Sequence, residues 1–316
     1  MTMMPLRVAS KRCIAPDVFL FELARADGAP LPAFDAGSHV TVLAPAGLTR
    51  RYSLCNSPRE TDRFSIAIKR EAAGGGGSMS LCDTVEPGDT LPTSLPLNYF
   101  PLAEGAQRHL LIAGGIGITP ILAMAQELLA RGAEFRIVYL ASSRATAPFV
   151  QELLEGPLAG RVTLHCTEGD AGSRLDLQAL LKEQAPGQHV YCCGPRRLMQ
   201  AVREHSAHWI AGSVHFEDFG TSEQPQEQAD QPFTVRLARS GRSFEVPCGT
   251  SILTVLRDAG IPAPASCESG TCGSCRTTLL SGCADHRDFV LDESEYDSEI
   301  MICVSRAKSS VIEIDL

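Results

Sequence analysis

Three cysteines fall close together in the stretch 266-SCESGTCGSCRTTLL-280, and a fourth, Cys303, lies well downstream. Cys267, Cys272 and Cys275 are spaced C-x4-C-x2-C. With the distant Cys303 this is the plant-type [2Fe–2S] ligand spacing. Ferric iron needs anionic, polarisable donors, which four thiolates supply. The residues between the ligands include Gly270, Thr271, Gly273 and Ser274, all small. Small residues let the backbone wrap closely and bring its N–H groups to sulfur, which tunes a cluster's potential. Zinc is the rival reading, but structural zinc sites favour two C-x2-C knuckles and only one half here has that form. The other cysteines of the 12 in the chain (Cys13, Cys55, Cys82, Cys166, Cys192, Cys193, Cys248 and Cys283) are expected to be small buried hydrophobes.

Other stretches have residue types suited to phosphates and planar rings. The loop 113-AGGIGITP-120 follows the apolar run 109-HLLIA-113 and opens a helix-like segment. Its glycines bring the backbone close, and a helix N-terminus offers N–H groups and positive dipole to a pyrophosphate. Pro120 suits a first helical turn. In 50-RRYSL-54, Arg50 presents a fork for phosphate, Tyr52 an aromatic face and Ser53 a hydroxyl donor. In 67-AIKREAAGGGGSMS-80, Gly76 and Gly77 permit close approach, and Ser78 with neighbouring N–H groups suits phosphate. Lys69 adds a nearby cation, and the alternative for the glycines is a plain surface loop.

The elements that must carry these residues form three blocks. Residues 1–102 hold short alternating segments, 18-VFLFEL-23, 39-HVTVLAP-45 and 64-FSIAIKR-70, separated by turn formers. That pattern predicts an antiparallel sheet closed as a β-barrel. Residues 103–220 alternate buried-type strands with helices: 120-PILAMAQELLARG-132, 135-FRIVYLAS-142, 161-RVTLHC-166 and 188-QHVYCCG-194. This predicts a doubly wound parallel α/β domain. Residues 221–232 are rich in Gln, Glu, Ser and Pro and read as a linker. In 233–316, 233-FTVRLARSGRSFEVP-247 predicts a hairpin, 250-TSILTVLRDAG-260 a capped helix and 311-VIEIDL-316 a strand.

Composition bounds the rest. The 316 residues suggest two or three domains, and 44% hydrophobic with 21% charged residues is ordinary for a globular chain. A net charge of −9 argues against non-specific nucleic-acid binding. No apolar run is long enough for a membrane span, and the start lacks a signal-peptide core, so a cytoplasmic protein without membrane association is expected. A redox sensor would carry a nucleic-acid-binding segment, and none is visible. A self-contained oxygenase would need an iron site of its own, and the 8 histidines show no 2-His-1-carboxylate grouping.

The motifs together carry a resemblance. The stretch 50-RRYSL-54 is similar to the R-x-Y-S/T flavin motif of the ferredoxin reductase superfamily, and 113-AGGIGITP-120 to its nicotinamide loop. So is the C-G-P of 191-YCCGPRRLM-199. Residues 233–316 look like a plant-type ferredoxin, which implies a β-grasp fold. With 214-VHFEDFG-220 and 264-PASCESGTCGSC-275, essentially the whole chain resembles the phthalate dioxygenase reductase family.

The resemblance implies FMN at Arg50, Tyr52, Ser53, Leu54, Ile68, Lys69, Gly77, Ser78, Met79, Ser80 and Phe219. It implies NADH at Gly114, Gly115, Gly117, Thr119, Pro120, Cys193, Gly194 and Pro195, with Cys193, Ser53 and Thr119 nearest the hydride transfer. For Phe219 and Cys193, plain core packing is the alternative. Arg144 is the lone candidate for a 2′-phosphate and Asp170 for a free ribose hydroxyl. Cys267, Cys272, Cys275 and Cys303 would hold the [2Fe–2S] cluster. Electrons would pass from NADH through FMN and the cluster to a terminal Rieske non-haem iron oxygenase. The alternative partner is a demethylating monooxygenase of the vanillate demethylase type. A monomer is expected, and Glu293, Glu295 and Glu299 are expected to steer the encounter with the partner.

Overall fold

Residues 2–72, 75–168, 175–219 and 230–316 are described by the structure, a computed structural model of the chain. Asp170 and residues 221–229 of the expected linker lie outside the described residues. The chain forms two compact units that divide after Ser222.

The first unit begins with β1 (Met3–Ala15), β2 (Val18–Ala24), β3 (Ser38–Leu43), β4 (Thr49–Ser53) and β5 (Phe64–Lys69). The helix α1 (Gly77–Thr84), β6 (Thr90–Ser94) and β7 (Leu97–Asn98) follow. The strands run antiparallel in the order β4-β3-β6-β1-β2-β5, with β7 on β3. The sheet closes on itself where Leu54 bridges Ile66 and the Cys55 N–H donates to Ser65 O at 2.9 Å. The expected barrel is therefore present.

Strand β1 has no counterpart in the sequence reading. Only Leu6 and Val8 of MMPLRVASKRCIA are fully buried, and the register with β2 shifts at Val8/Ser10 and again at Cys13/Ala15. Such bulges interrupt a period of two. The same shifts leave Cys13 exposed. Cys248 and Cys283 are also exposed and Cys166 half-buried, so the expectation of buried cysteines holds only for Cys55, Cys82, Cys192 and Cys193 among the non-ligands.

The unit continues with β8 (Arg108–Gly114), α2 (Ile118–Ala130), β9 (Glu134–Ala141), α3 (Val150–Glu155), β10 (Val162–Cys166) and α4 (Leu177–Leu181). Next come β11 (Gln188–Cys193), α5 (Arg196–His205) and β12 (Val214–Glu217). The strands are all parallel in the order β10-β9-β8-β11-β12. The order reverses between β8 and β11, and α/β sheets bind ligands outside the carboxyl ends at such a switch point. The outer face of the barrel packs on this sheet. Ala15, Val18, Leu20, Ala67 and Phe100 share one core with Leu111, Ile121, Tyr139 and Tyr191. Phe21 and Leu23 of β2 face the barrel's own core instead, so that strand is apolar on both sides.

On the barrel-facing side of the parallel sheet, rings form a stacked row. His215 lies 4.7 Å from Tyr191, and its Nε2 is 3.0 Å from Nδ1 of His189. Burial, then the neighbouring His189, pulls His215 down from 6.5 to about 4. The unfolded chain therefore takes up a proton below pH 6.5 that the folded chain refuses, and stability falls as the pH drops toward 4. We expect a loss of about 2 kcal/mol from this group between roughly pH 7.5 and pH 5. His215→Phe keeps the stack on Tyr191 and removes the titration. Urea unfolding of both proteins at the two pH values checks this: an equally steep loss in the variant would assign the sensitivity to other groups.

The second unit contains β13 (Phe233–Leu237), β14 (Ser243–Val246), α6 (Ile252–Asp258), β15 (Arg276–Ser281) and β16 (Ala284–Asp285). It ends with β17 (Glu299–Met301), β18 (Arg306–Ala307) and β19 (Val311–Ile314). The main sheet runs β14-β13-β19-β15-β17 with β13 and β19 parallel, and α6 contributes Ile252, Leu253 and Leu256 to its core. This is the expected β-grasp. The predicted hairpin forms between β13 and β14. The predicted cap forms too: Ser251 Oγ accepts the Thr254 N–H at 3.1 Å, and Gly260 follows the helix at φ 71°.

Candidate functional site

Strand β4 aims its residues at two places. On one face Arg50 lies against the glycine loop. A Cβ on Gly77 would stand 2.8 Å from Arg50 Nε, and one on Gly75 3.5 Å from its Nη2. That loop leads into α1, whose N-cap is Gly76 at φ 88° with no side-chain cap bond. A guanidinium beside an uncapped helix start is suited to a phosphate. Tyr52 shares this face, packed partly on the barrel core, and its hydroxyl is buried with no hydrogen-bond partner among the described residues. Gly77 and Ser78 are buried, and Met79 and Ser80 half-buried, in the first turn of α1. Ser78 Oγ accepts the Glu71 N–H at 3.1 Å, and Ser80 Oγ donates to Gly77 O at 3.0 Å.

On the other face of β4, Ser53 Oγ donates to Glu217 Oε2 at 2.9 Å. Glu217 ends β12 in register with Cys193, the last residue of β11. Cys193 is fully buried, and burial, then the Glu217 carboxylate, pushes its thiol well up, so it stays protonated. The two glycine motifs meet beside it. A Cβ on Gly117 would lie 2.3 Å from Cys193 O. One on Gly114 would lie 2.6 Å from Pro195 Cδ, and one on Gly194 2.9 Å from Gly114 Cα. Tyr139 Oη donates to Gly115 O at 3.2 Å and holds the loop from below.

Other expected residues are placed differently. Leu54 and Ile68 are fully buried in the barrel core, so only their backbone can face a cofactor. Lys69 is exposed and paired with Glu71 at 3.3 Å. Thr119 is buried, and its hydroxyl donates to Ile116 O at 3.1 Å within the loop, while Pro120 is buried beside it in the first turn of α2. Phe219 is 40% exposed at the end of the first unit's described residues. Arg144 lies exposed after β9.

Glu217 and Asp218 carry no expectation from the sequence, although they lie within 214-VHFEDFG-220 beside Phe219. Asp218 binds Arg196 at 3.2 Å, both largely buried. Arg196 opens α5, where a positive charge is unfavourable. An arginine at a helix start was thus the available signal for a carboxylate nearby.

In the second unit the four candidate ligands stand as two pairs. Cys267 bonds with Cys272, and Cys275 with Cys303. Within each pair one thiol is held low and its neighbour high, because the proton of one bonds to the sulfur of the other. The Ser269 N–H reaches Cys267 Sγ and the Cys267 N–H reaches Cys272 Sγ, each at 3.4 Å. Gly270 and Gly273 take φ 77° and 76°, and a Cβ on Gly270 would lie 2.7 Å from Val304 Cγ2. Among the described residues no three ligand-type side chains converge as they would on a single ion. Four cysteines with backbone N–H donors to sulfur suit a two-iron cluster. Cys272 and Gly273 are half-buried and Ser274 exposed, so the loop reaches the surface.

The steering expectation is narrowed by two ion pairs. Glu295 caps the turn at Asp292 and binds Arg276, and Glu299 binds Arg276 at 3.4 Å. Their charges are neutralised within the unit, which leaves Glu293 of the three.

A closed antiparallel barrel, a switch-point nucleotide sheet and a β-grasp bearing paired cysteines define an iron–sulfur flavoprotein reductase. Residues 235–308 match the family of 2Fe-2S iron-sulfur cluster binding domains, and 94–209 the N-terminal domain of dimethylamine monooxygenase subunit DmmA-like proteins. The chain is 49% identical over 312 residues to phthalate dioxygenase reductase of Burkholderia cepacia, covering 98% of this chain and 97% of that one. It is 40% identical to a vanillate O-demethylase oxidoreductase of Pseudomonas putida, covering 98% of each. The solved structure of a phthalate dioxygenase reductase, described as modular for electron transfer from pyridine nucleotides to [2Fe-2S], superposes with a TM-score of 0.72 at 49% identity, over 99% of this chain and 98% of that one. The FAD/NAD-binding domain of a nitric oxide dioxygenase from Vibrio cholerae shares the fold of the first unit, with a TM-score of 0.60 at 22% identity over 69% of this chain and 99% of that one.

The chain belongs to the phthalate dioxygenase reductase family. It is an oxidoreductase whose cofactors are FMN, NADH and a [2Fe–2S] cluster, and its relatives are named as reductases of oxygenase systems. No described helix is long and apolar enough to cross a membrane.

Proposed function

We propose that this chain is the NADH-dependent reductase of a Rieske-type aromatic-ring oxygenase, with a terminal Rieske non-haem iron protein as its electron acceptor. One observation carries the reading: Ser53, Glu217 and Cys193 meet at the switch point of the same chain that holds two cysteine pairs. FMN, when bound, supplies the step from a hydride to single electrons.

The protein's own part is binding and orientation. Arg50 and the start of α1, with Gly77 and Ser78, hold the flavin phosphate, and Tyr52 and Phe219 supply aromatic contact. Ser53, which donates to Glu217, would border the flavin ring. Gly114, Gly115, Gly117, Thr119 and Pro120 shape the pyrophosphate side, and Cys193, Gly194 and Pro195 the nicotinamide side. Cys193 acts by shape, since a thiol held protonated is no nucleophile. Cys267, Cys272, Cys275 and Cys303 are the cluster ligands. The barrel covers 1–102, the nucleotide domain 103–220 and the ferredoxin domain 233–316. A cytoplasmic monomer that binds neither membrane nor nucleic acid completes the proposal. Its closer relatives by identity are phthalate reductases rather than demethylase reductases, which favours a ring dioxygenase as partner.

The holoprotein should reduce cytochrome c with NADH and no added oxygenase, and should restore turnover to a Rieske oxygenase. A protein whose flavin is reduced by NADH while neither acceptor is reduced would sink this reading.

A further inference from the structure

The entry to the second unit is gripped unusually tightly. Asp230, the first described residue after Phe219, receives Arg287 Nη2 on Oδ1 at 2.8 Å. Arg306 Nε stands 3.4 Å from Oδ2, and the Gly249 N–H donates to the same oxygen at 3.3 Å. The Cys248 thiol donates to Asp230 O at 2.8 Å. Arg306 is only 4% exposed. It also donates to Gln231 O at 3.0 Å, Pro247 O at 3.1 Å and Thr250 O, and its guanidinium lies over the Phe233 ring. Arg287 is itself braced by Asp285 at 2.7 Å.

Both arginines join the cluster housing by short, bonded paths. Arg306 lies just past the ligand Cys303, and the turn between them is closed by the Ser305 N–H on Met301 O at 3.0 Å. The Arg287 N–H donates to Ser305 Oγ at 3.2 Å. Just beyond it, the Phe289 N–H donates to Gly270 O, inside the cysteine loop, at 2.8 Å. Asp230 is thus fixed against both halves of the ligand set.

We propose that Asp230, gripped by Arg287 and Arg306, is a positioning residue for electron transfer between the two units, which rests on the electron route under Proposed function. The grip fixes where the connection between Phe219 and β13 ends. Released, residues 230–232 would join that connection and lengthen it by about 10 Å of extended chain. A longer connection lowers the effective concentration of one unit at the other, and electron transfer falls steeply with separation.

The test is stopped-flow reduction of the holoprotein by NADH, following flavin and cluster absorbance separately. Asp230→Asn should leave the flavin phase unchanged and slow the cluster phase by about 1.4-fold or more. Asp230→Glu should recover most of the rate. Inserting Ser-Gly-Ser between residues 229 and 230 keeps the grip but lengthens the connection, and should reproduce the slowing. A wild-type cluster phase in Asp230→Asn, or in the insertion variant, overturns the proposal. So does a slowed phase accompanied by a changed cluster EPR signal or potential, since the carboxylate would then act on the cluster itself. A wild-type chain that reduces its flavin but never its cluster overturns the electron route as well, a result distinct from any variant effect.

Discussion

Replacing Cys272 with serine is expected to stop onward electron flow while sparing the NADH reaction. Cys272 pairs with Cys267 and is the half-buried member of the ligand set. Serine offers a hard oxygen, mostly protonated, where the cluster needs an anionic, polarisable sulfur. The Cys267 N–H would also lose the sulfur it now reaches. Cytochrome c reduction should fall about a hundredfold or more, because the thiolate it removes is a proposed cluster ligand. NADH-driven ferricyanide reduction should stay within roughly twofold, since Cys272 lies in the second compact unit, whose core is its own. Activity assays beside an EPR spectrum of the reduced protein decide it. A variant that still reduces cytochrome c at the wild-type rate would show that electrons leave by another route.

The second large effect is expected from Gly117→Ala. The backbone there is ordinary, so the change is one of space alone. The new methyl would sit 2.3 Å from Cys193 O and 2.8 Å from Gly194 N. Both are backbone atoms and cannot rotate away. Either the loop before α2 or the turn after β11 must move, and those are the two walls of the proposed nicotinamide site. Overpacking of this kind destabilises by about 1–3 kcal/mol. Displacement of about an ångström in a reacting geometry lowers turnover by about a hundredfold, so kcat with NADH should fall and KM rise. Gly115→Ala is the control. Its φ of 55° strains the backbone by roughly 1–2 kcal/mol, but a methyl there meets nothing within 4 Å. If Gly117→Ala were no worse than Gly115→Ala in NADH kinetics, the packed motif would not shape the site.

Much of the molecule was legible because its chemistry is local in sequence. The cysteine spacing, the glycine loop before α2 and the cap at Ser251 all depend on neighbours within one turn. The strands of the parallel sheet read clearly because both faces are buried, as in β8. What stayed hidden depends on partners far along the chain. Glu217 acquires meaning only through Ser53, 164 residues away. Glu295 looked available to a partner until Arg276 took it. Strand β1 escaped because its bulges break the alternation that marks a strand. Leu54 and Ile68 sit inside the motifs proposed to bind flavin, yet their side chains serve the barrel core.

The core shared by the barrel and the nucleotide sheet has a consequence for how such proteins are assembled over evolutionary time. A piece of chain can be exchanged between genes only if it carries away its own interior. Cutting near residue 102 would strip Phe100, Val18 and Leu20 from Tyr191 and Ile121 and expose both sides. Cutting between Phe219 and Phe233 divides no described core. The chain therefore has one seam for recombination rather than two. The flavin and nicotinamide halves should be inherited together, and the ferredoxin is the part free to be gained, lost or moved to the other end.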